Sequence, residues 1–219
     1  GVTRIVDVGT NLERSLQAID LARDIEAVHA TVGVHPHDVV DASEDIAAFE
    51  ALLSAPEVVA VGECGLDYHY LNSPRETQLA VFREQVSLAH ELDVPVVIHV
   101  RGDEPNAYND LLEIWIERGE GQLTGVLHCY TGSLEFARRA LQANFYVSFS
   151  GILTFKNDRG LRDTAAALPL SHLMVETDAP LLAPEGFRGR RNEPAIASAC
   201  TVPRCGTKTE TLQVLDWID

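Results

Sequence analysis

Short runs of apolar, mostly β-branched residues recur along the chain and alternate with longer amphipathic segments. The runs of strand length are 3–9, 29–35, 57–63, 94–100, 123–129, 145–151 and 172–178. Most of these runs are too continuous to have one polar face, which is typical of parallel strands buried on both sides. The segments between them have helical periodicity and predict helices at 12–26, 44–54, 73–92, 105–118, 133–143 and 158–168.

This alternation predicts an α/β fold, either an open doubly wound sheet or a closed (β/α) barrel. No glycine-rich dinucleotide or Walker-type loop follows any of the strand-like runs, which favours the barrel. The helix 73–92 is the clearest, with Ser73 as its expected N-cap and Pro74 as its first residue. No low-complexity tract or linker indicates a second domain.

Composition and charge narrow the classes of function. With 46% hydrophobic and 23% charged residues among 219, the chain has the composition of an ordinary globular protein. No apolar run approaches the length of a membrane span and no leader begins at Gly1, so we expect a cytoplasmic protein without a membrane partner. The net charge of −16 argues against a protein that coats DNA through a positive surface. It does not argue against a nuclease whose positive charge comes from bound metal ions.

Polar residues end four of the predicted strands, at Glu63, His99, His128 and Asp178. In a (β/α) barrel the carboxyl ends of the strands open on one face, which carries the active site. Two imidazoles and two carboxylates form a ligand set for Zn²⁺, Mn²⁺ or a similar ion. A lone strand-end His is more often a hydrogen-bonded structural residue, and a strand-end Asp often caps the next helix. Four such residues at four strand ends together predict a metal site.

Residues near these four leave alternatives open. His35 and His37 could contact substrate or could shape the turn around Pro36. Asp67 and His69 follow Glu63 closely, and loop hydrogen bonding is our preferred interpretation, with Asp67 as an outer partner of a metal ligand the alternative.

Three arginines are concentrated in four positions shortly after Asp178, at Arg188, Arg190 and Arg191. They could bind phosphate at the mouth of a site or could be exposed helix-capping residues. Glu176 could tune the site or could pair with an arginine. The cysteines Cys64 and Cys129 adjoin candidate ligands but have the opposite strand parity, so we expect them to pack in the interior.

Several motifs occur in a fixed order along the chain: "VGVHPHD" (32–38), "VGECGLDYHY" (61–70), "PVVIHVR" (95–101), "LHCYTG" (127–132), "SGILTF" (150–155), "VETDAP" (175–180) and "FRGRRNEP" (187–194). A helix with the pattern Q…F…Q…LA (78–89) precedes the third of them. In these motifs and their order, the chain resembles the TatD-type metal-dependent deoxyribonucleases of the amidohydrolase superfamily.

The resemblance implies a (β/α)8 barrel of the TIM type that binds two divalent ions (Mg, Mn or Zn) and hydrolyses phosphodiester bonds of DNA. Cleavage would be exonucleolytic, on single strands. By the same resemblance, Glu63 looks like the carboxylate that bridges the two ions, and His99 and His128 look like ligands of one ion. Asp178 looks like a ligand of the other ion and the general base for the attacking water, so Asp178 and Glu63 are the expected catalytic residues.

For contacts with the DNA substrate we expect His35, Arg188 and Arg191. Two other functions remain open. One is hydrolysis of another small substrate, such as a cyclic amide, on the same metal site. The other is that the chain is an inactive, truncated remnant.

The chain departs from the family at both ends. The family begins with a strand that ends in a His-x-His pair on the same metal as Asp178, and no such pair precedes Gly1. We therefore expect residues 1–194 to form a hydrolase barrel that lacks its first strand. Residues 195–219 are expected to be a divergent tail, because Pro203 and Gly206 interrupt the long amphipathic helix found there in the family.

Overall fold

The computed structural model describes residues 2–42, 46–102, 106–158 and 160–200. They form two compact units, one of residues 3–127 and one of residue 2 with residues 128–200. Every strand and helix that the hydrophobic pattern predicts is found, with bounds that differ by a few residues. The alternation of strand and helix is therefore confirmed.

The first unit contains five strands, each parallel to the next along the chain. They are β1 (Ile5–Val8), β2 (Val28–Val32), β3 (Val58–Asp67), β4 (Val96–Arg101) and β5 (Gly125–Leu127). The helices of this unit are α1 (Leu12–Asp24), α2 (Val39–Ala42), α3 (Ile46–Leu53), α4 (Arg75–Leu92) and α5 (Asn106–Gly119). Burial of β-branched residues such as Val96 and Ile98 explains why these runs lack a polar face.

The second unit contains two further parallel strands, β6 (Phe145–Phe149) and β7 (Leu173–Val175). Its helices are α6 (Leu134–Gln142) and α7 (Leu161–Ala167), and short 3-10 turns cover Gly151–Thr154, Leu170–His172 and Pro194–Cys200. Ser133 caps α6, since its hydroxyl oxygen accepts from the backbone N–H of Phe136 at 3.1 Å. β7 is shorter than predicted, so Glu176 and Asp178 lie just beyond the strand.

The predicted N-cap of α4 is wrong. Ser73 is buried, and its hydroxyl donates to the carbonyl oxygen of His37 at 3.0 Å instead of capping the helix. Pro74 occupies the cap position, where its fixed backbone angle suits the first turn. Ser73 thus joins the start of α4 to the segment that follows β2.

The prediction that Glu63 ends its strand is also wrong. β3 continues to Asp67, and residues Cys64 to Asp67 pair with Ile98 to Arg101 of β4. The register shifts between Val61 and Cys64, so Glu63 lies at an irregularity inside the strand. Asp67, which is fully buried, stands at the carboxyl end of β3.

Within the described ranges, every helix is too short or too polar to cross a bilayer. Residues 201–219, which make up most of the predicted tail, lie outside the described residues, and the boundary at residue 194 stays a prediction.

Candidate metal centre

The first unit brings together a histidine, a glutamate and a second histidine. We call His35, Glu63 and His99 the first ligand group, and their candidate ligand atoms all lie within 4.8 Å of one another. Nδ1 of His99 is 3.1 Å from Oε1 of Glu63, and Nε2 of His35 is 3.7 Å from the same oxygen. All three side chains are largely buried, so water competes weakly for them.

Burial and charge set the protonation of the two imidazoles. Burial, partly offset by the negative charge of Glu63, lowers the pKa of His35 to about 4. His35 is therefore neutral at pH 7, which leaves a lone pair for a cation. Burial also acts to lower the pKa of His99, but its hydrogen bonds with Asp67 and Glu63 outweigh burial and raise that pKa above the ordinary value. A divalent ion can take the place of the proton that His99 would hold between two carboxylates.

Asp67 is hydrogen-bonded to a histidine of the first ligand group. Its Oδ2 accepts from Nε2 of His99 at 3.0 Å and from Nε2 of His37 at 2.9 Å. Its Oδ1 accepts from the backbone N–H groups of His69 and Tyr70, both at 2.9 Å. Burial raises the pKa of Asp67, yet these hydrogen bonds together hold it well below the usual range. Asp67 is therefore an ionised carboxylate that orients the His99 ring and also hydrogen-bonds to the loop after β3.

Two glutamines of α4 hold the backbone next to the first ligand group. Gln78 accepts from the N–H of Asp67 at 2.8 Å and donates to its carbonyl oxygen at 3.1 Å. Gln85 likewise accepts from the N–H of Val34 at 2.8 Å and donates to its carbonyl oxygen at 3.2 Å. The two glutamines are seven residues apart, on one buried face of α4. One helix thus fixes the residue before His35 and the end of the strand that carries Glu63.

Gly62 allows Glu63 to take its position. The φ angle of Gly62 is +135°, a region that residues with a Cβ rarely adopt. A Cβ at this position would also collide with the carbonyl oxygen of Val97 on β4. The irregularity that places the Glu63 side chain beside His99 therefore requires glycine.

The second unit brings together a histidine and two carboxylates. We call His128, Glu176 and Asp178 the second ligand group, and their candidate ligand atoms also lie within 4.8 Å of one another. Nδ1 of His128 is 3.0 Å from Oε2 of Glu176, and Nε2 is 3.3 Å from Oδ1 of Asp178. Asp178 is the most accessible of the three, with 29% of its side chain exposed.

Both groups fit a divalent cation by the chemistry of their donors, because imidazole nitrogen and carboxylate oxygen are the ligands of Zn²⁺ and Mn²⁺. A buried carboxylate oxygen in the second group also favours a bound cation. Oε1 of Glu176 is buried and accepts no hydrogen bond from any residue that the structure describes. Burial of a carboxylate oxygen without a partner is costly, and a cation would compensate for it.

Asn192 holds the loop that carries Asp178. Its side-chain NH₂ donates to the carbonyl oxygens of Thr177 and Leu181, each at 2.7 Å, and its backbone N–H donates to Pro180. Asn192 is 1% exposed. Asp178 between these anchors has a φ of 57°, a left-handed conformation that Asp adopts more readily than most residues.

Replacement of Asn192 by alanine is expected to destabilise the protein. The carbonyl oxygens of Thr177 and Leu181 would lose their donor inside the fold, at a cost of about 1–3 kcal/mol in the free energy of unfolding. Urea denaturation of N192A would measure this loss. Asn157→Ala, at an exposed asparagine of the same unit, is the matched control and should change stability little. Equal stability of N192A and N157A would contradict the anchoring role.

The structure places each predicted ligand in one of the two groups. Glu63 and His99 lie together in the first unit, and His128 and Asp178 lie together in the second. The predicted bridging by Glu63 and the shared ion of His99 and His128 stay predictions.

Of the three residues predicted to contact the substrate, one lies among the candidate metal ligands and two are exposed arginines. The first is His35, which belongs to the first ligand group. Arg188 and Arg191 are exposed, and the guanidinium carbon of Arg188 lies 3.9 Å from the centroid of the Phe155 ring. Their contact with phosphate stays a prediction.

The sequence leaves the role of Glu176 open and does not identify Asn192, Gln78 or Gln85 as residues of the site. Glu176 has a signal in the sequence, because it lies two residues before Asp178 at the end of a strand. The sequence also marks Gln78 and Gln85, because they are polar residues on an otherwise apolar face of the helix. The expected packing role of Cys64 agrees with its complete burial, and burial together with Glu176 raises the pKa of the Cys129 thiol to about 12.

Comparison with known proteins gives consistent matches. The family model TatD related DNase matches residues 1–205. The metal-dependent hydrolase YabD of Bacillus subtilis (strain 168) is 42% identical over 195 residues, which cover 89% of this chain and 75% of that protein. The 3′-5′ ssDNA/RNA exonuclease TatD of Shigella flexneri serotype 5b (strain 8401) is 39% identical over 202 residues, 89% of this chain and 76% of that one.

A solved structure matches as well. The TatD homologue YJJV of Escherichia coli K12 has a TM-score of 0.83 and 31% identity, and the match covers 91% of this chain and 76% of that one. The predicted fold class, a TIM-type (β/α) barrel, is thereby confirmed, and the described residues contribute seven strands to it. The prediction of a metal-dependent hydrolase is also confirmed. The chain belongs to the TatD-related DNase family.

Proposed function

We propose that this chain hydrolyses phosphodiester bonds of nucleic acid, with divalent metal ions held by the first and second ligand groups. Single-stranded DNA is the substrate that we expect, cleaved one nucleotide at a time from an end. The observation that carries the proposal is the presence of two groups of imidazole and carboxylate donors on a chain of this family. The exonuclease named TatD of Shigella flexneri, 39% identical, supports the choice of nucleic acid.

The acidity of the chain is consistent with this function. A net charge of −16 repels a phosphate backbone, so attraction must come from local positive charge. Bound cations would provide it at the ligand groups. Among side chains, Arg188 and Arg191 are exposed in the same unit as Asp178 and are our proposed phosphate contacts.

In the first group, His35 would donate a neutral imidazole nitrogen and Glu63 an anionic oxygen. His99 would be oriented by Asp67 behind it. In the second group, Glu176 would supply its unpaired oxygen beside His128 and Asp178. Bound divalent ions would polarise the phosphodiester and lower the pKa of water toward about 7.

Asp178 is our proposed general base. It is the most accessible member of its group, so water can reach it, and its loop is anchored by Asn192. In the reaction, a water oxygen forms a new bond to phosphorus while the bond to the leaving sugar oxygen breaks. Asp178 takes a proton from the water, and this proton passes on to the leaving oxygen.

The test is a comparison of substrates with and without metal. Single-stranded DNA labelled at either end should be shortened stepwise in the presence of Mg²⁺, Mn²⁺ or Zn²⁺, and excess EDTA should abolish the cleavage. Re-addition of the metal should restore it. A cyclic amide and a small phosphomonoester, assayed side by side, should be hydrolysed far more slowly.

Rapid hydrolysis of the cyclic amide with intact DNA would overturn the proposal in favour of another hydrolase. DNA cleavage that persists in EDTA would overturn the role of metal. The absence of any hydrolysis with all three metals would favour an inactive remnant.

A further inference from the structure

An exposed tyrosine lies close to the first ligand group. Tyr70 has 53% of its surface exposed, although it lies only three residues after Asp67, the buried end of β3. Its backbone N–H donates to Oδ1 of Asp67 at 2.9 Å, which fixes the position of the Tyr70 backbone relative to Asp67. Its ring centroid is 5.7 Å from that of His37, which is in turn 4.5 Å from that of His35. Tyr70 is thus an exposed aromatic residue, and only the ring of His37 lies between its ring and the candidate metal ligand His35.

An arginine lies over the same ring. The guanidinium carbon of Arg101 is 4.8 Å from the centroid of Tyr70. Arg101 is exposed, ends β4 and stands two residues after His99. It forms no ion pair with any residue of the described ranges, in a chain with almost twice as many acidic as basic residues. Because no carboxylate of the described residues pairs with Arg101, its positive charge is available to an anionic ligand.

We propose that Tyr70 and Arg101 form a binding subsite for one nucleotide of a single-stranded nucleic acid, next to the phosphate that is cleaved. Tyr70 would stack on the nucleobase, and Arg101 would contact the flanking phosphate. Aromatic stacking suits any base, since each has a π-face, whereas a paired base inside a duplex cannot reach the ring. The subsite would therefore select single strands without selecting sequence. This inference rests on the proposed function, because it assumes that the first ligand group acts on nucleic acid.

The subsite can be tested by binding. The probe is a short single-stranded DNA with 2-aminopurine as its terminal base and phosphorothioate linkages that slow hydrolysis. Tyr70→Ala is expected to raise its Kd about ten-fold and to remove the quenching of the 2-aminopurine fluorescence. Tyr70→Phe keeps the ring and should retain both the affinity and the quenching.

A second probe isolates the base. An otherwise identical DNA whose terminal nucleotide is abasic should bind to the wild type and to Y70A with equal Kd, because there is no base to stack. Arg101→Gln should weaken both probes and should lower the dependence of Kd on salt concentration, as expected for the loss of one phosphate contact.

The outcomes separate the two proposals. If the wild type cleaves DNA but Y70A binds the 2-aminopurine probe as tightly as Y70F does, the stacking subsite is overturned and the nuclease function stands. If Y70A weakens the abasic probe equally, Tyr70 acts on the fold and the subsite is also overturned. If the wild type neither binds nor cleaves DNA with metal present, the proposed function itself fails.

Discussion

Asp178→Asn is expected to lower kcat for single-stranded DNA by about 10³-fold, because an amide cannot take the proton of the attacking water and is a poorer cation ligand. Stability should change little. Asn has the same shape as Asp and is one of the few residues that accept the left-handed backbone found at this position, where φ is 57°. Steady-state kinetics with labelled DNA at saturating metal would measure the effect.

Asp163→Asn is the matched control for this variant. Asp163 is exposed on α7 of the same unit, so its replacement removes one negative charge away from the second ligand group. It should retain wild-type activity. Near-normal turnover by D178N, or an equal loss in D163N, would contradict the assignment of Asp178 as general base.

Glu63→Gln should cause a loss of similar size, about 10³-fold in kcat, for a different reason. The glutamine keeps the volume and can still bond to His99, but the first ligand group loses its anionic oxygen and hence much of its attraction for a cation. Partial recovery of activity at high metal concentration is expected, since the lesion is in metal binding. DNA cleavage measured across a metal titration would show both effects.

The control for Glu63 is Glu84→Gln, at an exposed glutamate of α4 in the same unit. This variant carries the same change of charge and should show the wild-type metal dependence. If E63Q followed the wild-type metal titration as E84Q does, Glu63 could not be a metal ligand.

The fold was largely predictable because its strands are buried on both faces. Continuous apolar runs, such as the valine-rich one at residues 58–61, have no competing helical period, and the helices between them have clear apolar faces. The end of β3 was not predictable in this way. Gly65 and Asp67 are poor strand formers in isolation, yet they lie in β3 because the neighbouring strand β4 pairs with them.

The candidate site was predictable in part for the same reason. Residues at strand ends, such as His128 and Asp178, carry a signal because parallel strands direct their ends to one side. The partners of those residues carry a weaker signal. The role of Asp67 depends on which ring nitrogens reach it, and that of Asn192 depends on a loop that folds back on itself. Neither contact follows from periodicity.

The proposed function requires that both ligand groups bind metal in the intact protein. Calorimetric titration of Mn²⁺ into the metal-free wild type, E63Q and D178N tests this. We expect two ions per wild-type chain at micromolar Kd, with at least one class of site weakened in E63Q and at least one in D178N. Fewer than two ions per wild-type chain, or unchanged binding in both variants, would contradict the account.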